Sequence, residues 1–169
     1  MKNKRLLLLL TGLAIALVIN SCKKDAQSPI ASLFTVGTWQ LASVQTFNYL
    51  GNTLTSSQTS TDTCITTQFF NFNKDNTCTY TNFDCISQTS PTAKWSLTPN
   101  QLFLVSEVVC KDTSKAGNSQ PFINAQIINL GNYSLVLQTG DIQPNYSLTK
   151  PRTIVQYGFI RQKLSGSTP

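Results

Sequence analysis

Five cysteines and seven acidic residues are the side chains whose chemistry could define a site in this 169-residue chain, which contains no histidine. Without histidine the chain lacks the most common general base, and with it Ser-His-Asp triads, Cys-His pairs and histidine-based metal sites. Glu107 is the only glutamate, and most of the aspartates lie in or beside apparent turns, where Asp is a common structural choice. No spacing suggests a glycosidase-like carboxylate pair. We therefore expect no catalytic residue, no metal site, no cofactor and no enzymatic activity.

Four cysteines in the body of the chain allow two disulfides in three connectivities. They form no C-x-x-C pair, which argues against zinc. Strand-like runs on either side of Asn73–Asn76 predict a hairpin, and folding at this turn brings Cys64 opposite Cys85. We therefore predict a Cys64–Cys85 disulfide, which would add about 2–4 kcal/mol of stability. Cys78 lies near the turn; its predicted partner is Cys110, and the alternative is that both remain free thiols.

The charge of the chain gives no sign of a nucleic-acid partner. Without Lys2, Lys4 and Arg5, the net charge falls from +6 to +3, and the remaining basic residues are scattered rather than clustered. The composition is rich in Ser, Thr, Asn and Gln, and its apolar residues are largely aromatic or β-branched. That mixture favours strands over helices.

The first 22 residues follow the plan of a secretory signal peptide: a basic start, an apolar run over 6–19, and then Asn20-Ser21-Cys22. The apolar run is shorter than the roughly 20 residues of a membrane span. A cysteine directly after a small residue resembles the lipobox of bacterial lipoproteins, although Asn20 departs from the usual residue type. The resemblance implies removal of residues 1–21, acylation of Cys22 (palmitate among the acyl chains) and a membrane anchor. The expected location is the outer membrane of the cell envelope, on either its periplasmic or its surface face.

The mature chain predicts one domain. Residues 22–34 have little pattern and suggest a lipidated N-terminus and tether, and residues 164–169 suggest a disordered tail. Between them, about eight short strands at regular spacing predict an all-β fold, a single antiparallel up-and-down β-barrel over residues 35–163. The Ser/Thr-rich segment 48–63 is expected to be a long loop or an irregular strand.

Several motifs, taken in order, resemble a known family. Gly37-Thr38-Trp39 resembles the Gly-x-Trp signature of the lipocalin and fatty-acid-binding superfamily. With the runs 70–80 and 94–97, the chain resembles the lipocalin-like lipoproteins of Bacteroidetes. The resemblance implies a lipocalin-like barrel whose base is closed by Trp39. It also makes Arg161 the candidate for the arginine that often packs over this tryptophan in lipocalins.

The alternating apolar residues of a barrel line its interior, either as packed core or as the wall of a cavity. The candidates are Trp39, Leu41, Phe70, Phe72, Tyr80, Trp95, Leu135, Leu137, Tyr157 and Phe159. Around a cavity, they would make a lipid-anchored module that binds a small hydrophobic or amphipathic ligand. In a filled barrel, the loops at 48–63 and 111–121 would contact a protein or glycan partner instead. We prefer the ligand-binding function, and interior volume distinguishes the two.

Overall fold

A computed structural model of the protein describes residues 27–61 and 64–162. The expected signal peptide, Cys22, the first part of the tether and the tail at 164–169 lie outside these residues. Within the described ranges, no helix is long and apolar enough to cross a membrane.

The described chain consists of strands with very little helix. The helices are α1 (Pro29–Thr35) and a 3-10 helix (Phe83–Cys85). The strands are β1 (Thr38–Leu50), β2 (Thr53–Thr61), β3 (Phe69–Phe72), β4 (Thr77–Thr81), β5 (Ala93–Leu97), β6 (Phe103–Ser106), β7 (Cys110–Lys111), β8 (Asn118–Ser119), β9 (Ala125–Leu130), β10 (Ser134–Gly140) and β11 (Pro151–Arg161).

Eight antiparallel strands close a barrel in the order β1-β3-β4-β5-β6-β9-β10-β11, and β11 pairs back onto β1. The closing ladder runs from Trp39 opposite Arg161 to Leu50 opposite Pro151. Strands adjacent in the barrel are also consecutive in the chain, apart from the excursions through β2 and β7–β8. The predicted up-and-down barrel is confirmed.

Strand β1 is long enough to hold two neighbours along one edge. Residues 38–40 pair with β3, whereas residues 43–50 pair with β2, which lies outside the closed barrel. The segment 48–63 was expected to be a long loop or an irregular strand, and its described residues are strand rather than loop. They form the end of β1 and the whole of β2, a hairpin whose pairing shifts in register between Asn48 and Tyr49. Apolar and polar residues do not alternate in β2, because residues 53–60 are exposed on both faces of the strand. The sequence pattern therefore did not indicate a strand here.

Helix α1 closes the end of the barrel at which β1 begins. The Ser28 Oγ accepts a hydrogen bond from the Ala31 amide at 3.1 Å, and Pro29 occupies the first turn, where its missing N–H costs nothing. Phe34 is fully buried, with its ring centroid 5.0 Å from that of Phe72 and 5.6 Å from that of Trp95. Residues 29–34 were expected to belong to the tether; they fold instead, because burying Phe34 holds the helix against the barrel.

Candidate functional site

The end of the barrel that carries α1 is sealed, and we call it the closed end. Trp39 is fully buried there, and its Nε1 donates to the Phe34 carbonyl at 3.0 Å. The Arg161 guanidinium lies 4.5 Å from the Trp39 ring centroid, and its Nη2 donates to the Leu33 carbonyl at 2.6 Å. Burial lowers the pKa of Arg161. The expected arginine over the first-strand tryptophan is present, and it ties β11 to the helix.

Aromatic rings fill the middle of the barrel. The Phe70 ring centroid lies 4.1 Å from that of Phe72 and 4.8 Å from that of Phe122. Tyr80 stacks on Phe122 at 5.6 Å with an interplanar angle of 14°. These separations are those of direct ring packing. A ligand at this level of the barrel would have to displace core side chains.

Nine of the ten candidate cavity or core residues belong to this buried cluster, and each is at most 3% exposed. They are Trp39, Leu41, Phe70, Phe72, Tyr80, Trp95, Leu135, Leu137 and Phe159. The tenth, Tyr157, is only half-buried and packs on the edge of the cluster. Tyr157 therefore lies where the core ends and the opposite end of the barrel begins.

A β-bulge decides which residues face inward at that opposite end. Leu41 points into the core, and the pairing of β1 with β11 shifts between Leu41 and Ser43. Ser43 then pairs with Gly158 on the outer face, where a Cβ at Gly158 would lie 2.8 Å from the Ser43 Oγ. Val44 therefore faces inward opposite Tyr157, and its side chain packs against the core.

The inner face of β1 and β11 then becomes polar in two steps. Beyond Val44 and Tyr157, the next inward pair is Thr46 with Val155, both half-buried. The next pair is Asn48 with Thr153, where hydrogen bonds run across three strands, and the exposed pair Leu50 with Pro151 ends the ladder. The Asn48 Nδ2 donates to the Ser56 Oγ of β2 at 3.0 Å, and the Thr153 Oγ1 donates to the Asn48 Oδ1 at 2.9 Å.

We call this region the mouth. It consists of Val44, Thr46, Asn48, Ser56, Thr153, Val155 and Tyr157, with Phe83 of the 3-10 helix beside Tyr157. All of these side chains are half-buried or exposed, in contrast to the same face deeper in the barrel. The mouth thus combines an apolar floor with a hydrogen-bonding rim, which an amphipathic molecule would fit.

Tyr157 forms part of the floor of the mouth. Its ring centroid lies 5.0 Å from that of Phe122 and 6.4 Å from that of Phe83. Burial raises the pKa of Tyr157 to about 12, so its hydroxyl is protonated at neutral pH. Within the described residues this hydroxyl makes no hydrogen bond to protein. It can therefore donate to or accept from a bound molecule.

The 3-10 helix next to the mouth is held in an unusual conformation. Asn82, Asp84 and Cys85 have φ of 59°, 52° and 62°, in the left-handed region that non-glycine residues rarely adopt. The Asp84 Oδ2 accepts a hydrogen bond from the Thr113 amide at 2.7 Å, and the Asn82 Nδ2 donates to the Thr67 carbonyl at 2.8 Å. Backbone strain of this kind persists only where surrounding contacts impose it.

A disulfide is one of those contacts. The predicted Cys64–Cys85 bond is present, with a Cα–Cα distance of 5.2 Å. The predicted Cys78–Cys110 bond is wrong, since both are buried free thiols. The Cys78 Sγ lies 3.2 Å from the Ser106 Oγ inside the barrel, whereas Cys110 belongs to β7, which leaves the barrel sheet. Burial raises the pKa of Cys78, and that of Cys110 to about 12, so both thiols are weak nucleophiles.

The described carboxylates with shifted pKa values stabilise turns. The Asp75 Oδ1 accepts from the Thr77 amide at 3.0 Å, and the Asp112 Oδ1 from the Ser114 amide at 3.1 Å. Hydrogen bonds to the side chains and amides of these partners lower the pKa of both aspartates. In the ranges 27–61 and 64–162, no group of three or more Cys, Asp and Glu side chains could hold a metal ion.

Sequence reasoning missed Val44 and Phe83 at the mouth and the buried side chain of Gln68. Val44 lies on β1, and the bulge that turns its side chain inward leaves no mark in the sequence pattern. Phe83 lies in a largely polar segment, so its sequence neighbours gave no sign of a contact with the core. Gln68 is 6% exposed; its Nε2 lies 3.2 Å from the Cys64 Sγ, and its Oε1 accepts from the Tyr80 hydroxyl at 3.4 Å. Its spacing of two from Phe70 could have placed it on the inner face.

Comparison with known families agrees with this architecture. The family model of the lipocalin-like domain matches residues 35–137, more than half of the chain. The chain belongs to the lipocalin-like domain family. The matched residues run from the end of α1 into β10, so the strand that closes the barrel follows them. No curated protein and no solved structure shows a significant match. A lipocalin-like barrel is typically a binding fold rather than a catalytic one, and the comparison indicates no enzyme family. The fold is consistent with binding of a small hydrophobic ligand.

Proposed function

We propose that this lipocalin-like protein binds a small amphipathic molecule at the mouth of its barrel. The observation that carries the proposal is the change in chemistry along the inner face of β1 and β11. Rings and aliphatic side chains at Val44 and Tyr157 give way to hydrogen-bonding groups at Asn48 and Thr153 within two cross-strand rows.

This gradient favours an amphipathic ligand over a purely apolar one. An apolar end would cover Val44, Tyr157 and Phe83 and gain about 25 cal/mol for each Å² removed from water. A polar end would meet the amide of Asn48 and the hydroxyls beside it. The ligand would occupy a shallow position, because the rings around Phe70 fill the barrel below Tyr157.

We further propose that the protein is an envelope lipoprotein of the Bacteroidetes type, anchored at the outer membrane through acylated Cys22. Support comes from the signal-like residues 1–21 and the cysteine that follows them. Ser28, where the described helix begins, lies beside the turn residues Asn76 and Thr98 at the closed end. An anchor six residues before Ser28 would therefore hold the closed end towards the membrane and direct the mouth away from it.

A second candidate function has its own observation. The filled middle of the barrel fits a structural or interaction protein that uses its loops, including the hairpin of β1 and β2 and the loop that carries β8. Nothing would then enter the mouth, and the partner would be a protein or a glycan. Ligand binding separates the two candidates.

The test uses native mass spectrometry and displacement of a fluorescent fatty acid. We expect the protein purified from an oxidising compartment to bind the probe with a saturable signal, and unlabelled amphiphiles to compete. Val44→Trp should fill the mouth and abolish binding. Ile128→Trp is the matched control, because Ile128 is 47% exposed on β9. Absence of saturable binding, or equal binding by both variants, would refute the proposal and favour the interaction function.

A mass measurement tests the anchor separately. Expression in a diderm bacterium should give a product that lacks residues 1–21 and carries acyl chains on Cys22. Cys22→Ser should leave the product unacylated. An unacylated wild-type product would contradict the anchor without bearing on the mouth.

A further inference from the structure

A hollow distinct from the mouth lies where the loop 141–150 returns to β11. Its volume is about 220 Å³, and it is lined by Asp141, Gln143, Asn145, Tyr146, Ser147, Lys150, Pro151 and Arg152. Arg152 pairs with Tyr49 across β11 and β1. Because Asn48 and Thr153 face the mouth, Tyr49 and Arg152 face the opposite side of the sheet.

The Arg152 guanidinium is held between two aromatic rings. Its Cζ lies 3.8 Å from the Tyr146 ring centroid and 4.7 Å from that of Tyr49. Its Nε donates to the Gly51 carbonyl at 3.2 Å, and the Tyr146 hydroxyl donates to the Asn52 Oδ1. These contacts fix the plane of the guanidinium, so little conformational entropy remains to be lost when it binds a partner.

The two Nη atoms of this fixed group make no hydrogen bond to the described protein, and no described carboxylate forms an ion pair with Arg152 or Lys150. The hollow thus contains two cations and one carboxylate, Asp141. That carboxylate accepts a hydrogen bond from the Thr153 amide at 2.9 Å. A planar guanidinium with both Nη atoms free matches the two oxygens of a carboxylate or phosphate group.

We infer that this hollow is a binding site for a small organic anion. The Nη atoms of Arg152 would hold a carboxylate or phosphate oxygen pair, and the Lys150 ammonium would supply the second charge. The amides of Gln143 and Asn145 would bind neighbouring hydroxyls. The volume is below the roughly 300 Å³ of the smallest ordinary ligand pockets, so it suits a single acidic sugar or a group of similar size. This site does not depend on the function proposed for the mouth.

The test is a titration of the ¹⁵N-labelled full chain, followed by NMR, with glucuronate, inorganic phosphate and glucose in turn. We expect saturable shifts at the Asn145 and Gln143 amides with at least one anion and none with glucose. Glucuronate alone would assign the site to a carboxylate, and phosphate alone to a phosphoryl group. Absence of saturation with both anions, or equal shifts with glucose, would overturn the inference.

Variants of Arg152 and Lys150 distinguish an anion-binding role of the hollow from a purely structural role of the stacked side chains. Arg152→Gln should weaken binding about tenfold or more, and Arg152→Lys should recover only part of it, because an ammonium lacks the planar fork. Lys150 is exposed and outside the ring stack, so Lys150→Gln should fold normally and weaken binding roughly threefold. Lys115→Gln is the matched control, because Lys115 is exposed on the loop between β7 and β8 and does not line the hollow. Unchanged affinity in both the Arg152→Gln and Lys150→Gln variants would overturn the assignment.

Discussion

Truncating Phe34 to alanine tests whether α1 is part of the folded barrel. Phe34 is fully buried, and its ring packs against Phe72 and Trp95. Removing a buried phenylalanine ring loses its transfer free energy and leaves a cavity, at a cost of about 3–5 kcal/mol. The site has little freedom to collapse, because its walls are rings fixed by β3 and β5. We therefore expect a loss near the middle of that range.

Urea unfolding followed by tryptophan fluorescence is the appropriate assay. Trp39 donates a hydrogen bond to the Phe34 carbonyl and Trp95 contacts its ring, so both tryptophans of the chain report on this site. With a slope of about 2 kcal/mol per M, the midpoint should fall by about 2 M. Val36→Ala is the matched control, since Val36 is 53% exposed and should lose less than about 0.5 kcal/mol. If both variants lost equally little unfolding free energy, residues 29–35 would not stabilise the barrel.

Three further predictions concern covalent, steric and ionisable features. Replacing Cys64 and Cys85 with serine should lower the unfolding free energy by about 3 kcal/mol, because the bond closes a loop with a sequence separation of 21. Urea midpoints with and without reductant check this, and reductant should shift wild type but not the variant. Gly140→Ala should lower Tm more than Gly117→Ala: both have positive φ, but only at Gly140 would the Cβ lie 2.5 Å from a carbonyl of β11. Equal Tm losses would contradict the steric argument. Tyr157 has a pKa raised to about 12 from 10.0, so its neutral form stabilises the fold below pH 10 and this stability is lost as pH rises towards 12. Tyr157→Phe should flatten the alkaline limb of stability against pH, and an unchanged limb would refute this assignment.

Much of the barrel was predictable because its strands alternate cleanly. Phe70 and Phe72 on β3, and Leu135 and Leu137 on β10, face one side, and period-two burial fixes both the strand and its inner face. The Cys64–Cys85 bond followed from the same geometry, since a hairpin fixes which residues meet at its open end.

Features that depend on distant contacts were not predictable. Helix α1 has seven residues, too few to show helical periodicity, and Phe34 gains its role only from rings contributed by β3 and β5. The mouth depends on the bulge after Leu41, which changes which side of β1 faces inward. The stacking of Arg152 requires Tyr146, in the loop before β11, to pack over the sheet. The spacing of residues in the sequence does not predict that contact.

The pairing of β1 with β11 has a consequence for the newly made chain. Trp39 and Arg161 lie directly opposite each other in the finished sheet, yet more than a hundred residues separate them. Because the chain emerges N-terminus first, whether from the ribosome or through a membrane, β1 is available before its last partner exists. During that interval an uncharged 13-residue strand has an unsatisfied edge. Such an edge is prone to pair with other chains, so folding yield should depend on how well β1 is shielded until β11 arrives.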